Sequence, residues 1–337
     1  MKRTLCIVIA LCILVSFVSA AGVEEAAAQK AVTLEFSSNA AVGTPHQMGQ
    51  IKFAEEVARL SNGTLTIKNY SAGELYTQEA EITAVRRGTL AMTFLGPEWF
   101  AEIVPFMEMF ATPFFFQSPE HMYKTMNGDI GTEVNSRIVT ATGVRPISTW
   151  LMGGNRELLL RDIKREVRKP QDLKGVLLRM ANTPSWIRMG EALGAAPTPM
   201  AINEVYLALQ TGAIDAVEGP LTAITARKWY EVASTLVLTG HYLTPIMVCI
   251  NEKIWAGLSP AHQKVLMDAS ATTQKYVDDV VVSATVKSLN EIKAAGVKIV
   301  EVDQTEWQNA ALKYYEDKGL TKNYDWELLK RIQALAK

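Results

Sequence analysis

From Ser259 to Ala295 the chain runs without a glycine, and its one proline, Pro260, stands where a helix would begin. Proline is tolerated in the first helical turn, where its missing N–H would be unpaired anyway, and breaks a helix further in. The stretch therefore predicts one helix of 30 or more residues. At ~1.5 Å per residue it reaches on the order of 50 Å, longer than a small domain is wide. Such a helix has to cross between two bodies. The length of 337 residues allows that, at roughly 150 residues per domain.

The rest of the chain alternates strands and helices. Val32–Ser37 reads as a strand, Pro45 starts a helix that Asn62-Gly63 ends, and Leu65 and Ile67 mark a second strand. Gln78–Arg87 reads as a helix stopped by Gly88, and Leu90–Leu95 as a third strand. This βαβαβ order predicts a parallel sheet with covering helices, an α/β fold. The pattern restarts with strands at Pro146–Met152, Glu157–Leu160 and Gly175–Met180, a helix at Ser185–Gly194, a short helix at Glu204–Thr211 and a strand near Ala213–Val217. Lys164–Asp172, charged and carrying Pro170, reads as a surface loop. We therefore expect two lobes of discontinuous sequence, 31–153 with about 245–281, and 154–244 with 282–337.

The first residues predict export. Lys2 and Arg3 precede an apolar run from Leu5 to Val18, and Val18-Ser19-Ala20 is a small-residue cleavage pattern. The run is shorter than the ~20 residues a membrane-spanning helix needs. A signal peptide over 1–20 and a flexible leader over 21–30 are expected, in a periplasmic protein. Without Lys2 and Arg3, the 34 basic residues set against 35 acidic ones leave a net charge of −3. No basic stripe is visible, which disfavours nucleic acid as a partner. Of three cysteines only Cys249 lies beyond the signal, and its apolar neighbours predict a buried small hydrophobe.

Catalytic signatures are missing: there is no G-x-S-x-G elbow, phosphate loop or G-x-G-x-x-G. His46, His121, His241 and His262 are scattered without zinc spacing, and read as surface or structural residues. No metal or cofactor is expected. Two arginines stand where α/β sheets bind ligands, at or beyond strand ends. Arg179 ends the strand Gly175–Met180, and Arg156 follows Gly153-Gly154-Asn155. A guanidinium offers a rigid fork of donors that fits a carboxylate with two parallel hydrogen bonds. A salt bridge to a carboxylate of the protein itself is the alternative for each. Trp150 and Phe114-Phe115-Phe116 read as core and Met200 as packing, while Trp186 could approach a cleft.

Several stretches carry a family resemblance: DLKGVLLRM (172–180), LGAAPTPMAINEVYLALQTGAIDAVEGP (193–220) and TGHY (239–242), supported by FAEEVARLSNGTLTI (53–67) and Thr112-Pro113-Phe114-Phe115-Phe116. In this order they resemble the solute receptors of tripartite ATP-independent periplasmic (TRAP) transporters, the DctP family. The resemblance implies a two-lobed periplasmic-binding fold that closes on an organic acid, a monomer that delivers its ligand to membrane permease subunits. It assigns the carboxylate anchor to Arg179, a second arginine to Arg156 and a polar contact to Asn182. Position 202, often aromatic in the family, is Ile202, and an asparagine common in the family is replaced by Gly219. Gln78 stands where sialic-acid receptors carry an acid. Trp186 and His46 complete the candidate ligand-binding set. Ile202 and Gly219 together suggest a C4-dicarboxylate or short keto acid ahead of a sugar acid. An exported hydrolase and a ligand sensor of the same fold remain open as alternatives.

Overall fold

The computed structural model describes residues 31–336; the export signal and leader expected before them lie outside these residues. Nine strands form one continuous sheet: β1 (Val32–Ser37), β2 (Leu65–Tyr70), β3 (Met92–Leu95), β4 (Val144–Leu160), β5 (Leu177–Met180), β6 (Ala196–Pro199), β7 (Ala216–Pro220), β8 (Thr235–Asn251) and β9 (Lys298–Glu301). The order is β2-β1-β3-β8-β4-β7-β5-β6, with β9 also on β8. β1 pairs in parallel with β2 and β3, as the βαβαβ pattern predicts.

Two 17-residue strands, β4 and β8, tie the halves together. They run antiparallel along most of their length. One end of β8 pairs with β3 through Met247–Ile250, and the other pairs with β9 through Thr235–Leu238. The far end of β4 pairs with β7, through Arg156–Leu160. The two strands expected at Pro146–Met152 and Glu157–Leu160 are thus one strand. Gly153 and Gly154 do not end it. They take φ of +139° and +89°, values that side chains disfavour, and the register with β8 shifts between Leu151 and Asn155. A Cβ on Gly153 would also fall 2.7 Å from Thr222 Oγ1. The glycines re-aim the strand where it leaves one half of the sheet for the other.

The long helix spans Pro260–Ala294, 35 residues. Ser259 caps it, accepting the His262 N–H, with Pro260 in the first turn. It packs on the Pro45–Leu60 helix beside β1–β3 and on the Leu221–Ala226 helix beside β7, so it crosses both halves. Its buried stripe includes Leu266, Ala269, Ser270, Thr273, Val277, Val281 and Ile292. Trp150 is core, as expected, and its Nε1 donates to Ser270 Oγ at 3.1 Å. Cys249 is fully buried in β8. Phe116 is buried, whereas Phe114 and Phe115 are half-buried beside it. The histidines are not on the surface: all four are buried. His121 reaches the Ile332 carbonyl at 3.0 Å, and His262 reaches Thr64 Oγ1 at 3.1 Å.

The helix pair is packed to its limit at Gly49, where an added Cβ would stand 2.6 Å from Val277 Cγ2 and 3.3 Å from Trp150. Gly49→Ala should lower stability by about 1–2 kcal/mol, the cost of overpacking exceeding the gain in helix propensity. Urea denaturation measures it; a stabilised variant would show that propensity, not packing, governs this position.

Candidate ligand-binding site

A cavity of about 60 Å³ lies between the two halves. That is room for several waters, each of which needs ~10–15 Å³ measured the same way. The β1–β3 half contributes Asn39, His46, Gln78, Glu81, Phe94 and Glu98 to its wall. The β5–β7 half contributes Arg156, Arg179, Trp186, Ile202, Glu218, Gly219 and Trp229, and Thr244 comes from β8 where it crosses.

Seven of the eight residues singled out in the sequence therefore meet in one place. The exception is Asn182, which is exposed and outside the wall. Sequence reasoning missed Glu81, Glu98, Asn39, Thr244 and Trp229. Trp229 stands directly behind Gly219, 3.4 Å from where a Cβ would be, so the missing side chain there is filled by an indole.

The two arginines are differently engaged. Arg156 already holds a protein carboxylate. Its Nε donates to Glu218 Oε2 and its Nη2 to Glu218 Oε1, the latter at 2.6 Å, both residues being buried. Its guanidinium also lies 4.8 Å from the Trp186 ring centre. His241 Nε2 sits 3.4 Å from Glu218 Oε2, and its Nδ1 contacts Thr239 Oγ1 at 2.7 Å. Burial alone would raise Glu218, but the attraction of Arg156 and the contact with His241 outweigh it and hold it at about 2. Burial keeps His241 below its ordinary value despite Glu218.

Arg179 has no such partner. It is 3% exposed at the end of β5, and its Nε and Nη2 donate to the Met200 carbonyl at 3.0 and 2.8 Å. Among the described residues no carboxylate pairs with it. Burial pulls it down to about 10, with Glu218 opposing that shift and Arg156 adding to it. Met200, expected only to pack, serves through its backbone.

Neutral groups on the wall are also without partners. Both ring nitrogens of His46, Gln78 Oε1, Trp186 Nε1 and Thr244 Oγ1 are buried and unpaired. His46 lies 4.2 Å from the Phe94 ring, and burial lowers it to about 3, so it is an uncharged imidazole. Buried polar groups are nearly always hydrogen-bonded, and each one left open costs about 1–3 kcal/mol. A cluster of them around an unpaired cation is a binding surface for an anion that carries further polar groups.

The sequence model of bacterial extracellular solute-binding protein family 7 (DctP) matches residues 36–320. The chain belongs to this family, the solute receptors of TRAP transporters. The receptor is 31% identical over 77% of its length to the 2,3-diketo-L-gulonate-binding periplasmic protein of Escherichia coli, covering 78% of that protein. Two crystal structures of TRAP periplasmic solute-binding proteins from Roseobacter denitrificans share its fold. One has bound 3-deoxy-D-manno-oct-2-ulosonic acid, with TM-score 0.85 and 29% identity over 91% of this chain and 100% of that one. The other has bound L-galactonate, with TM-score 0.81 and 29% identity over 92% and 100%. Members of the family are solute-binding receptors rather than enzymes. Among the described residues no helix is long and apolar enough to cross a membrane.

The Arg156–Glu218 pair is a structural element of the receptor's wall. Glu218→Gln strands the Arg156 charge in a buried setting and should cost about 3–5 kcal/mol. The wild-type contribution is present above pH 4.5, the ordinary value, and is lost as pH falls toward about 2. Urea melts of both proteins at pH 7 and pH 3 check this; equal stabilities at pH 7 would contradict it.

Proposed function

We propose that this receptor binds a hydroxylated monocarboxylate of the sugar-acid class in the periplasm, after export by a cleaved signal peptide. Arg179 takes the ligand's carboxylate, and the receptor passes the ligand to membrane TRAP permease subunits. The observation that carries this reading is the buried Arg179 guanidinium without a protein carboxylate, set in a wall of unpaired donors and acceptors.

An anion with several hydroxyls meets both needs at once. Its carboxylate compensates the cation, and its hydroxyls engage His46, Gln78, Trp186 and Thr244. The short or partly apolar acid expected from Gly219 and Ile202 gives way to this reading, because such a ligand would leave those groups open. Ile202 remains an apolar patch on the wall, and Trp229 behind Gly219 adds an indole to it. The sugar acids bound by the two Roseobacter proteins favour the same class. Micromolar affinity needs about −8 kcal/mol, which a small acid reaches through a fully desolvated, two-point charge contact.

Closure around the ligand follows from walls drawn from both halves of the sheet. We assign the lobes as 31–153 with 245–281 and 154–244 with 282–337. In that division Arg227 reaches from one lobe to the Asn39 carbonyl of the other at 2.8 Å, and Arg188 crosses to Glu108 and Glu102. A ligand that touches both walls favours the closed state by its differential affinity.

The test begins with a thermal-shift screen over aldonates, uronates, short hydroxy and keto acids and C4-dicarboxylates. Calorimetry follows on the best acid. Arg179→Lys keeps the charge but loses the fork and should weaken binding at least tenfold, about 1.4 kcal/mol. Arg179→Ala should weaken it further, with the fold retained. Wild-type affinity in the Ala variant would refute the anchor.

A further inference from the structure

The same cavity buries two glutamic acids for which carboxylate capture has no use. Glu81, in the Gln78–Arg87 helix, and Glu98, in the Pro97–Trp99 turn after β3, are each 2% exposed and line the wall from the β1–β3 half. Among the described residues neither has a cation within salt-bridge distance. Glu81 accepts the Ser37 hydroxyl at 2.9 Å. Asn39 and Thr93 lie close enough to favour its charged form without reaching hydrogen-bond geometry.

Glu98 meets Tyr242, whose hydroxyl oxygen lies 3.2 Å from both Glu98 Oε2 and the Phe110 carbonyl oxygen. A tyrosine hydroxyl has one proton, and a carbonyl can only accept. Given to Phe110, that proton leaves the second contact to be made by a proton on Glu98. An uncharged carboxyl satisfies both contacts at once. Burial acts in the same direction, raising Glu98 to about 7 and Glu81 to about 8. With His46 and His241 uncharged and Arg156 cancelled by Glu218, the cavity is left with one charge, that of Arg179.

We propose that Glu81 and Glu98 act in this receptor as uncharged acids that let the cavity accept one carboxylate and reject a second, so that it selects monoacids over diacids of the same carbon skeleton. The inference rests on Arg179 receiving the ligand's carboxylate. A second carboxylate would be stripped of water with no free cation to meet it, and burying an unpaired charge is costly. The groups that face Glu81 are Ser37, Asn39 and Thr93, with Glu79 a like charge that acts on it; those that face Glu98 are Arg156, Glu218 and Tyr242. A ligand carboxylate is ionised throughout the neutral range. Rising pH ionises Glu98 and then Glu81, makes the wall negative and weakens a monoanion. Affinity is therefore level at pH 6 and below, begins to fall as pH passes about 7, where Glu98 ionises, and falls further past about 8, where Glu81 follows.

Calorimetry on matched pairs tests this: L-galactonate against galactarate, D-glucuronate against D-glucarate, and 3-hydroxybutyrate against malate, at pH 6 and pH 9. In every pair that binds, the monoacid should be tighter by at least about thirtyfold at pH 6. The wild type should lose at least about tenfold by pH 9, and the E81Q/E98Q double variant less than about threefold, since amides cannot ionise. A diacid that binds as tightly as its monoacid, or an undiminished pH loss in the double variant, overturns the inference and leaves the receptor reading standing. The pair comparison needs only wild-type protein, so a variant that fails to fold does not stop the test. If no member of any pair binds, the sugar-acid reading falls and this inference falls with it.

Discussion

Two buried arginines meet at this cavity, and a single glutamate divides their roles. Glu218 gives both carboxylate oxygens to Arg156, while Arg179 is left with the Met200 carbonyl, a dipole rather than a charge. At low dielectric an uncompensated guanidinium is expensive to bury, and the cost is recovered when an anion arrives. In the proposed binding mode Glu218 also keeps the second positive charge from acting on the ligand, so that the cavity asks for one anion in one place. His241, 3.4 Å from the same carboxylate and itself fully buried, supports that division without adding a charge.

The fold exists to bring these groups together from distant sequence. β4 and β8 are each long enough to serve both halves of the sheet, and their shared register shift at Leu151–Asn155 lies next to Arg156 and Thr244. The Pro260–Ala294 helix braces both halves along one side. Arg227 and Arg188 connect groups that are far apart in sequence, through the Asn39 carbonyl and through Glu102 and Glu108. In the proposed reading, ligand contacts to both walls favour a shut state over an open one.

Much of this was legible in the sequence. The long helix followed from the missing breakers between Ser259 and Ala295. The βαβαβ opening followed from the strand and helix pattern, and seven of the positions singled out, Arg179, Arg156, Trp186, Gly219, Ile202, Gln78 and His46, line one cavity; that they hold the ligand is the proposal. What was not legible depends on partners that sequence order does not reveal. Glu218 becomes Arg156's counter-ion only because β7 lies beside β4. Gly153-Gly154 reads as a strand break because glycine marks both breaks and bulges, and only the continued pairing with β8 separates the two. The four histidines read as surface or structural residues, and only their burial decides between the two. Glu81 and Glu98 resemble any other surface acids until the cavity closes over them, and Trp229 becomes relevant only once it fills the space behind Gly219.

The central claim is that Arg179, and not Arg156, holds the ligand's carboxylate. A crystal structure of the receptor soaked with the sugar acid that most raises its melting temperature tests it most directly. The account predicts two hydrogen bonds of about 2.7–2.9 Å from the Arg179 guanidinium to the carboxylate, with Arg156 still paired to Glu218. A carboxylate held by Arg156 after release from Glu218, with Arg179 bonded only to the Met200 carbonyl, would contradict it.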